Sequence, residues 1–184
     1  MRVLAISGSL RAASHNTALL RAAAELAPDD VQVELYDGLG LLPAFNEDLE
    51  AGEPPAEVAR LREAIAGADA VLFSTPEYNG SMPGHLKTAV DWASRPHQDS
   101  ALWGKPVAVV GASVTDYGAV WAQDHLRKAL GLAGARVMDG DLPVGKAHER
   151  IDGDGAVVDL ELREHLEEVV GNLVDHTEAL AKAA

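Results

Sequence analysis

A chain of 184 residues is long enough to bury a full core without disulfides or a structural metal, and it is expected to form one domain over residues 1–184. Its net charge of −14 repels phosphate backbones and anionic lipid, so neither nucleic acid nor a membrane is an expected partner. The absence of cysteine excludes thiolate catalysis, iron–sulfur clusters and sulfur-ligated zinc, and fits a reducing cytoplasm.

The first apolar run, Arg2 to Ser7, reads as a strand covered on both faces. It leads through "SGSLRAASHN" into helical spacing at Leu19, Leu20, Ala23 and Ala24. Val31 to Tyr36 alternates apolar and polar residues, the mark of an edge strand. After the Pro-rich "EAGEPPAE", Glu50 to Glu57, a second helix shows Val58, Leu61 and Ile65 on one stripe. A third strand, Ala70 to Ser74, runs through "TPEYNGSMPG" into a helix carrying Leu86, Ala89, Val90 and Ala93. Strand four is Pro106 to Gly111 and strand five Ala135 to Met138, the latter made marginal by Arg136. "DGDG", Asp152 to Gly155, reads as a turn, because it lacks the ligand spacing of a calcium loop. The last helix presents Leu162, Leu166, Val169, Val170 and Leu173.

Strands alternating with helices give an α/β fold with a parallel sheet. With strands one, three and four central and strand two at an edge, the order is 2-1-3-4-5, and a ligand crevice is expected at the carboxyl ends of strands one and three. The loop Ser7 to Leu20 lies there and opens a helix whose first N–H groups have no partner inside the helix. Ser9, Ser14, Asn16 and Thr17 add short donors and Arg11 a forked charge, a set suited to a phosphate; plain helix capping by Ser and Asn is the alternative. The loop has neither the Gly-Lys-Ser/Thr ending of an NTPase loop nor the three-glycine dinucleotide fingerprint.

In the loop after strand three, Pro76 stiffens the exit and Gly80 permits unusual torsions, with Tyr78 and Asn79 on the turn. An aromatic ring and backbone donors beside an anion loop suit a flat heteroaromatic ring with a phosphate tail, although a lone Tyr also serves for core packing. No other active site emerges: there is no G-x-S-x-G or H-E-x-x-H motif, and the seven histidines show no metal spacing.

"GSLRAASHN", "LPAFNEDLE" and "PEYNGSMPGHLKTAVDW", at these separations, resemble the NADPH-dependent FMN reductase family, flavodoxin-like enzymes that include quinone, chromate and azo-dye reductases. The likeness spans Val3 to Leu132. It implies a three-layer flavodoxin-like sandwich holding FMN, with NADPH or NADH as electron donor and a small-molecule acceptor. Ser9, Arg11, Ser14, Asn16 and Thr17 would then surround the FMN phosphate, and Pro76, Glu77, Tyr78, Asn79 and Gly80 would border the ring. Ser113, in the loop Gly111 to Val120, would close the other side, where this chain has Gly118, Ala119, Val120 and Trp121 in place of the family's frequent glycine pair. No side chain is expected to be catalytic, since the flavin N5 carries the chemistry.

The resemblance also implies a homodimer or homotetramer, with Met82 and Trp92 as expected subunit contacts. Two other functions fit the same fold: a one-electron flavodoxin-like carrier, and a reductase that releases reduced FMN to a monooxygenase. The first-loop Arg and the "PEYNGSMPG" loop point away from the carrier.

Overall fold

The computed structural model describes residues 1–183. Strand β1 (Arg2–Ser7) is followed by α1 (His15–Leu26), β2 (Gln32–Leu35), a 3₁₀ turn (Leu39–Leu41), α2 (Glu47–Glu50) and α3 (Ala56–Ala66). Next come β3 (Ala70–Thr75), α4 (Gly84–Ala93), β4 (Pro106–Ala112) and α5 (Val120–Leu132). The chain ends with β5 (Arg136–Val137), β6 (Leu142–Val144), α6 (Ala147–Arg150) and α7 (Leu160–Ala183). The strands lie in the order β2-β1-β3-β4-β5, all parallel, as the sequence predicts.

Side chains alternate across this sheet and so divide the core into two apolar layers. Val3 and Ala5 of β1, Leu72 of β3 and Val110 of β4 pack with Leu19 and Leu20 of α1 and Leu166 and Leu173 of α7. Leu4, Ile6, Phe73 and Val109 point the other way, onto Leu61 and Ile65 of α3, Leu86 and Val90 of α4 and Leu126 of α5. Both faces being covered, β3 and β4 are buried along their whole length.

The sixth strand departs from the five expected. β5 covers only two residues, pairing Pro106 and Val107 with Arg136 and Val137, and β6 takes over on the same side of β4, from Val110↔Leu142 to Ala112↔Val144. Three residues with a proline in the middle give no strand signal in a sequence. The Asp152 to Gly155 turn forms as expected, with one Asp152 carboxylate oxygen accepting the Asp154 and Ala156 amides.

Trp92 overturns the expectation that it meets a second subunit. It is fully buried, its indole N–H donates to the Pro43 carbonyl at 2.9 Å, and the Phe45 ring stands against it edge-on at 4.9 Å. Lys87 and Asp91, one turn apart on α4, form the expected surface pair at 2.6 Å.

Candidate functional site

Three loops meet at the carboxyl ends of the adjacent strands β1, β3 and β4. Hydrogen bonds between them fix the junction. The Gly8 amide donates to the Ser74 carbonyl at 2.7 Å, and the His85 ring nitrogen Nε2 lies 3.0 Å from the Gly8 carbonyl, tying the first loop to the start of α4. The Asn16 side chain, on α1, ties the ends of β3 and β4: its Nδ2 donates to the Ala112 carbonyl at 3.0 Å, and its Oδ1 accepts from the Ala112 amide at 3.0 Å and the Ser74 hydroxyl at 2.8 Å.

Asn16 is therefore a buried clasp, its Oδ1 accepting two donors and its Nδ2 donating to the Ala112 carbonyl, while its backbone N–H has no acceptor in the fold. A sequence signal for this exists. Asn16, Leu19, Leu20 and Ala23 fall on one helical stripe, the stripe that packs on the sheet. Of the remaining polar residues of the first loop, Ser9 and Ser14 are buried, His15 and Thr17 are partly buried and Arg11 is exposed. Ser14 caps α1, its hydroxyl oxygen accepting the Thr17 amide at 3.2 Å, and the Thr17 hydroxyl lies 2.8 Å from that of Ser7, a partner the sequence does not single out. The Ser9 oxygen accepts the Arg11 amide at 3.4 Å, and the Arg11 side chain is exposed and unpaired among the described residues. Capping and ligand binding are compatible here, because a serine oxygen that accepts an amide still has its own proton to donate. Among the described residues, the backbone N–H groups of Ser14, His15 and Asn16 have no acceptor within the fold.

No Asp or Glu occurs between Ser7 and Thr17, in a chain whose acidic residues outnumber basic ones 29 to 15. The loop is thus locally positive in an acidic protein. Burial, then the Arg11 guanidinium, then the His148 ring lower the pKa of His15 below the ordinary histidine value, so its imidazole is neutral at pH 7.

The second loop is a tight hairpin. Asn79 and Gly80 both have left-handed backbones, φ 53° and 72°, and the Tyr78 and Ser81 amides each donate to the other's carbonyl, at 2.9 and 3.1 Å. Two consecutive positive φ values make this a type I′ turn, for which Asn-Gly is the preferred pair. The turn leaves the amides of Asn79 and Gly80 free of acceptors among the described residues. Tyr78 is half exposed, which rules out the core role its residue type allows. Pro76 is buried.

Glu77 is turned away from the turn. Its Oε2 accepts the Ala122 amide at 3.2 Å, capping α5, whose own N-cap residue, Ala119, has no side chain to do so. His125 of α5 meets the Ser81 hydroxyl at 3.1 Å, a second tie between these elements. The third loop starts at Ser113, whose amide donates to the Val144 carbonyl of β6 at 3.0 Å and whose hydroxyl oxygen accepts the Thr115 amide at 3.2 Å. It ends at Gly118 and Ala119, both left-handed, at φ 60° and 61°. Ala119 therefore holds a conformation that costs a non-glycine residue on the order of 1 kcal/mol. Gln123, buried in α5, donates to the Gly118 carbonyl at 3.0 Å and holds this end of the loop.

Exposed apolar side chains stand on all three loops: Leu10 on the first, Tyr78 on the second, Val114 and Tyr117 on the third, with Trp121 in the first turn of α5. The Tyr117 and Trp121 rings lie 4.9 Å apart. The junction thus combines amide donors and one free guanidinium with exposed aromatic surface, and among the described residues no group of acidic or histidine side chains is arranged to hold a metal.

The profile of the NADPH-dependent FMN reductases matches residues 1–149. The chain belongs to that family. It is 44% identical over 170 residues to the NAD(P)H-dependent FMN reductase PA1204 of Pseudomonas aeruginosa, covering 91% of this chain and 90% of the relative. It is 40% identical to a 2-hydroxy-1,4-benzoquinone reductase of a Burkholderia species, over 91% of each chain. Among solved structures it superposes with TM-score 0.87 on FerB, a flavoenzyme NAD(P)H:(acceptor) oxidoreductase of Paracoccus denitrificans, at 38% identity and 97% coverage of both. As an FMN reductase the chain is an oxidoreductase, with FMN as cofactor and NAD(P)H as electron donor, on a flavodoxin-like fold. No helix among the described residues is long and apolar enough to cross a membrane.

Proposed function

We propose that the chain, as one domain, binds FMN with its phosphate in the Ser9 to Thr17 loop and its ring between the Tyr78 turn and the Ser113 loop, and carries two electrons from NAD(P)H to a quinone-like acceptor. The observation that carries this reading is a carboxylate-free loop of unpaired amides at a helix N-terminus, next to a type I′ turn whose two amides are also unpaired. The donor set fits the group: a phosphate dianion takes amide and hydroxyl donors and a guanidinium, and a flavin takes amides along its edge and an aromatic ring beside it.

FMN supplies the chemistry when bound, accepting a hydride at N5 and passing on two electrons. The chain's own residues hold and tune it. Ser9, Ser14 and Thr17 offer hydroxyls to the phosphate, the amides of His15 and Asn16 add the helix N-terminus, and Arg11 supplies the countercharge. The unpaired Asn79 and Gly80 amides would serve the ring edge where negative charge gathers on reduction, favouring the reduced cofactor as an oxyanion hole favours its anion. Asn16, Glu77 and Gln123 act as positioning residues, holding the three loops at fixed separations. Tyr78, Tyr117 and Trp121 offer flat apolar surface to donor and acceptor in turn. Quinones suit such a slot, and relatives of this chain are quinone reductases. We place the enzyme in the cytoplasm as a homodimer or homotetramer, a reading that rests on the absence of cysteine and on the family resemblance, with half-buried Met82 as the remaining candidate contact.

A shared slot requires NAD(P)⁺ to leave before the acceptor enters. Steady-state velocities measured against NADPH at several quinone concentrations should therefore give parallel double-reciprocal lines; intersecting lines would contradict the shared slot.

Two smaller effects follow from the site. Tyr78→Ala should leave thermal stability unchanged, because the side chain is half exposed, and should weaken FMN by about three- to tenfold through lost aromatic contact, read by flavin fluorescence titration. His15 should titrate by NMR below the usual ~6.5 in the free protein, and FMN should raise that pKa, since a bound dianion favours the imidazolium that burial, Arg11 and His148 now oppose. A His15 titration indifferent to FMN would place the phosphate elsewhere.

A further inference from the structure

Of the basic side chains among the described residues, four make neither ion pair nor hydrogen bond: Arg11, Arg21, Lys128 and Arg136. Unpaired cations are unexpected in a chain carrying 29 carboxylates. Two of them, Arg11 and Arg21, line the same hollow of about 410 Å³, which opens beside the phosphate loop between α1 and the Asp152 to Gly155 turn. That volume lies within the ~300–1,000 Å³ of small-molecule pockets. Ser14 and His15 complete its α1 wall.

Lys128 and Arg136 are poorly placed for the site. Lys128 sits eight residues into α5, about 12 Å along the helix from the third loop. Arg136 begins β5 at the amino end of the sheet, in register with Pro106, the first residue of β4. Arg21 lies six residues into α1, about 9 Å from the end that faces the first loop.

The donor presents its nicotinamide to the flavin ring, and NADPH differs from NADH only in a phosphate dianion on the far ribose. In a protein of net charge −14, selecting that dianion takes a local, unpaired cation, and the hollow holds the pair nearest the site. We infer that this hollow is the subsite for the 2′-phosphate of NADPH and that Arg21 is the residue that reads it. The inference rests on the FMN reading given above. Arg11 and His15 share the wall, and burial first, then the charge of Arg11, lowers the pKa of His15. The charges facing it across the hollow are Asp152, whose carboxylate is engaged by the Asp154 and Ala156 amides, and Asp154, which is exposed. His148 adds a further basic group nearby. Asp154 opposes the phosphate, so its removal strengthens the preference.

The test uses FMN-loaded protein and two readouts. By calorimetry, adenosine 2′,5′-bisphosphate should bind the wild type at least about tenfold tighter than 5′-AMP, and Arg21→Gln should erase that difference. In turnover, Arg21→Gln should lower kcat/KM for NADPH about tenfold while changing that for NADH less than about twofold. Asp154→Asn should raise kcat/KM for NADPH by about twofold. Arg21→Lys should recover part of the loss, and Lys128→Gln should change neither nucleotide. An Arg21→Gln enzyme with an unchanged NADPH to NADH ratio, or with equal losses on both, overturns the subsite and leaves the reductase reading standing. A wild type that binds no FMN overturns both.

Discussion

Replacing Asn16 by Leu should cost about 4 kcal/mol of stability, a large part of the ~5–15 kcal/mol that holds a domain folded. Leu is of similar size, so the change removes polarity rather than volume. It strands the Ala112 amide, the Ala112 carbonyl and the Ser74 hydroxyl in a dry junction, each of which costs about 1–3 kcal/mol when unpartnered. The loss should appear as a lower urea midpoint with an unchanged slope, and FMN should bind more weakly because the three loops are no longer held together. Asn16→Asp separates the roles: it keeps an acceptor for the amide and the hydroxyl but sets a carboxylate against the Ala112 carbonyl, and should be as damaging. A loss below about 0.5 kcal/mol for Asn16→Leu would mean that the clasp does not form in solution.

Gly118→Val is the second large effect. A Cβ on Gly118 would lie 2.4 Å from the Pro143 carbonyl carbon and 2.6 Å from the Val144 nitrogen, both backbone atoms that no rotamer change can move. The position is also left-handed at φ 60°, where a β-branched residue is strained. Strain and overpacking together should cost about 3–4 kcal/mol. The relief available is to push β6 away from β4, which breaks the Ser113 amide bond to Val144 and opens the third loop. Flavin affinity should fall together with the melting temperature. The neighbouring Ala119→Gly is the control, since it removes a left-handed non-glycine residue and should leave the protein at least as stable.

These two positions also mark where the sequence is easy and hard to read. The continuous apolar runs of β1, β3 and β4 fix the centre of the sheet, because burial on both faces forces composition. The edge is different: β5 and β6 are two and three residues long, held by neighbours rather than by pattern. In the site, composition gives the donors but not their direction. Ser9, Ser14 and Thr17 fall on the loop and first turn that open α1, and Tyr78 and Gly80 on the turn after β3. Asn16 and Glu77 have the right chemistry and turn inward, Asn16 because it falls on the buried stripe of α1, Glu77 because α5 begins at an alanine that cannot cap it. Trp92 carries the same lesson as Asn16. It lies three residues beyond Ala89 on the apolar stripe of α4, and helical spacing alone places it in the core.

The account turns on a phosphate held by the first loop, and FMN against riboflavin tests that directly, since the two differ only in the phosphate. Titrated into the flavin-free protein and followed by quenching of flavin fluorescence, FMN should bind once per chain and riboflavin at least about 100-fold more weakly, with Arg11→Ala closing most of that gap. Equal affinity for the two flavins, or a gap that Arg11→Ala leaves untouched, would contradict it.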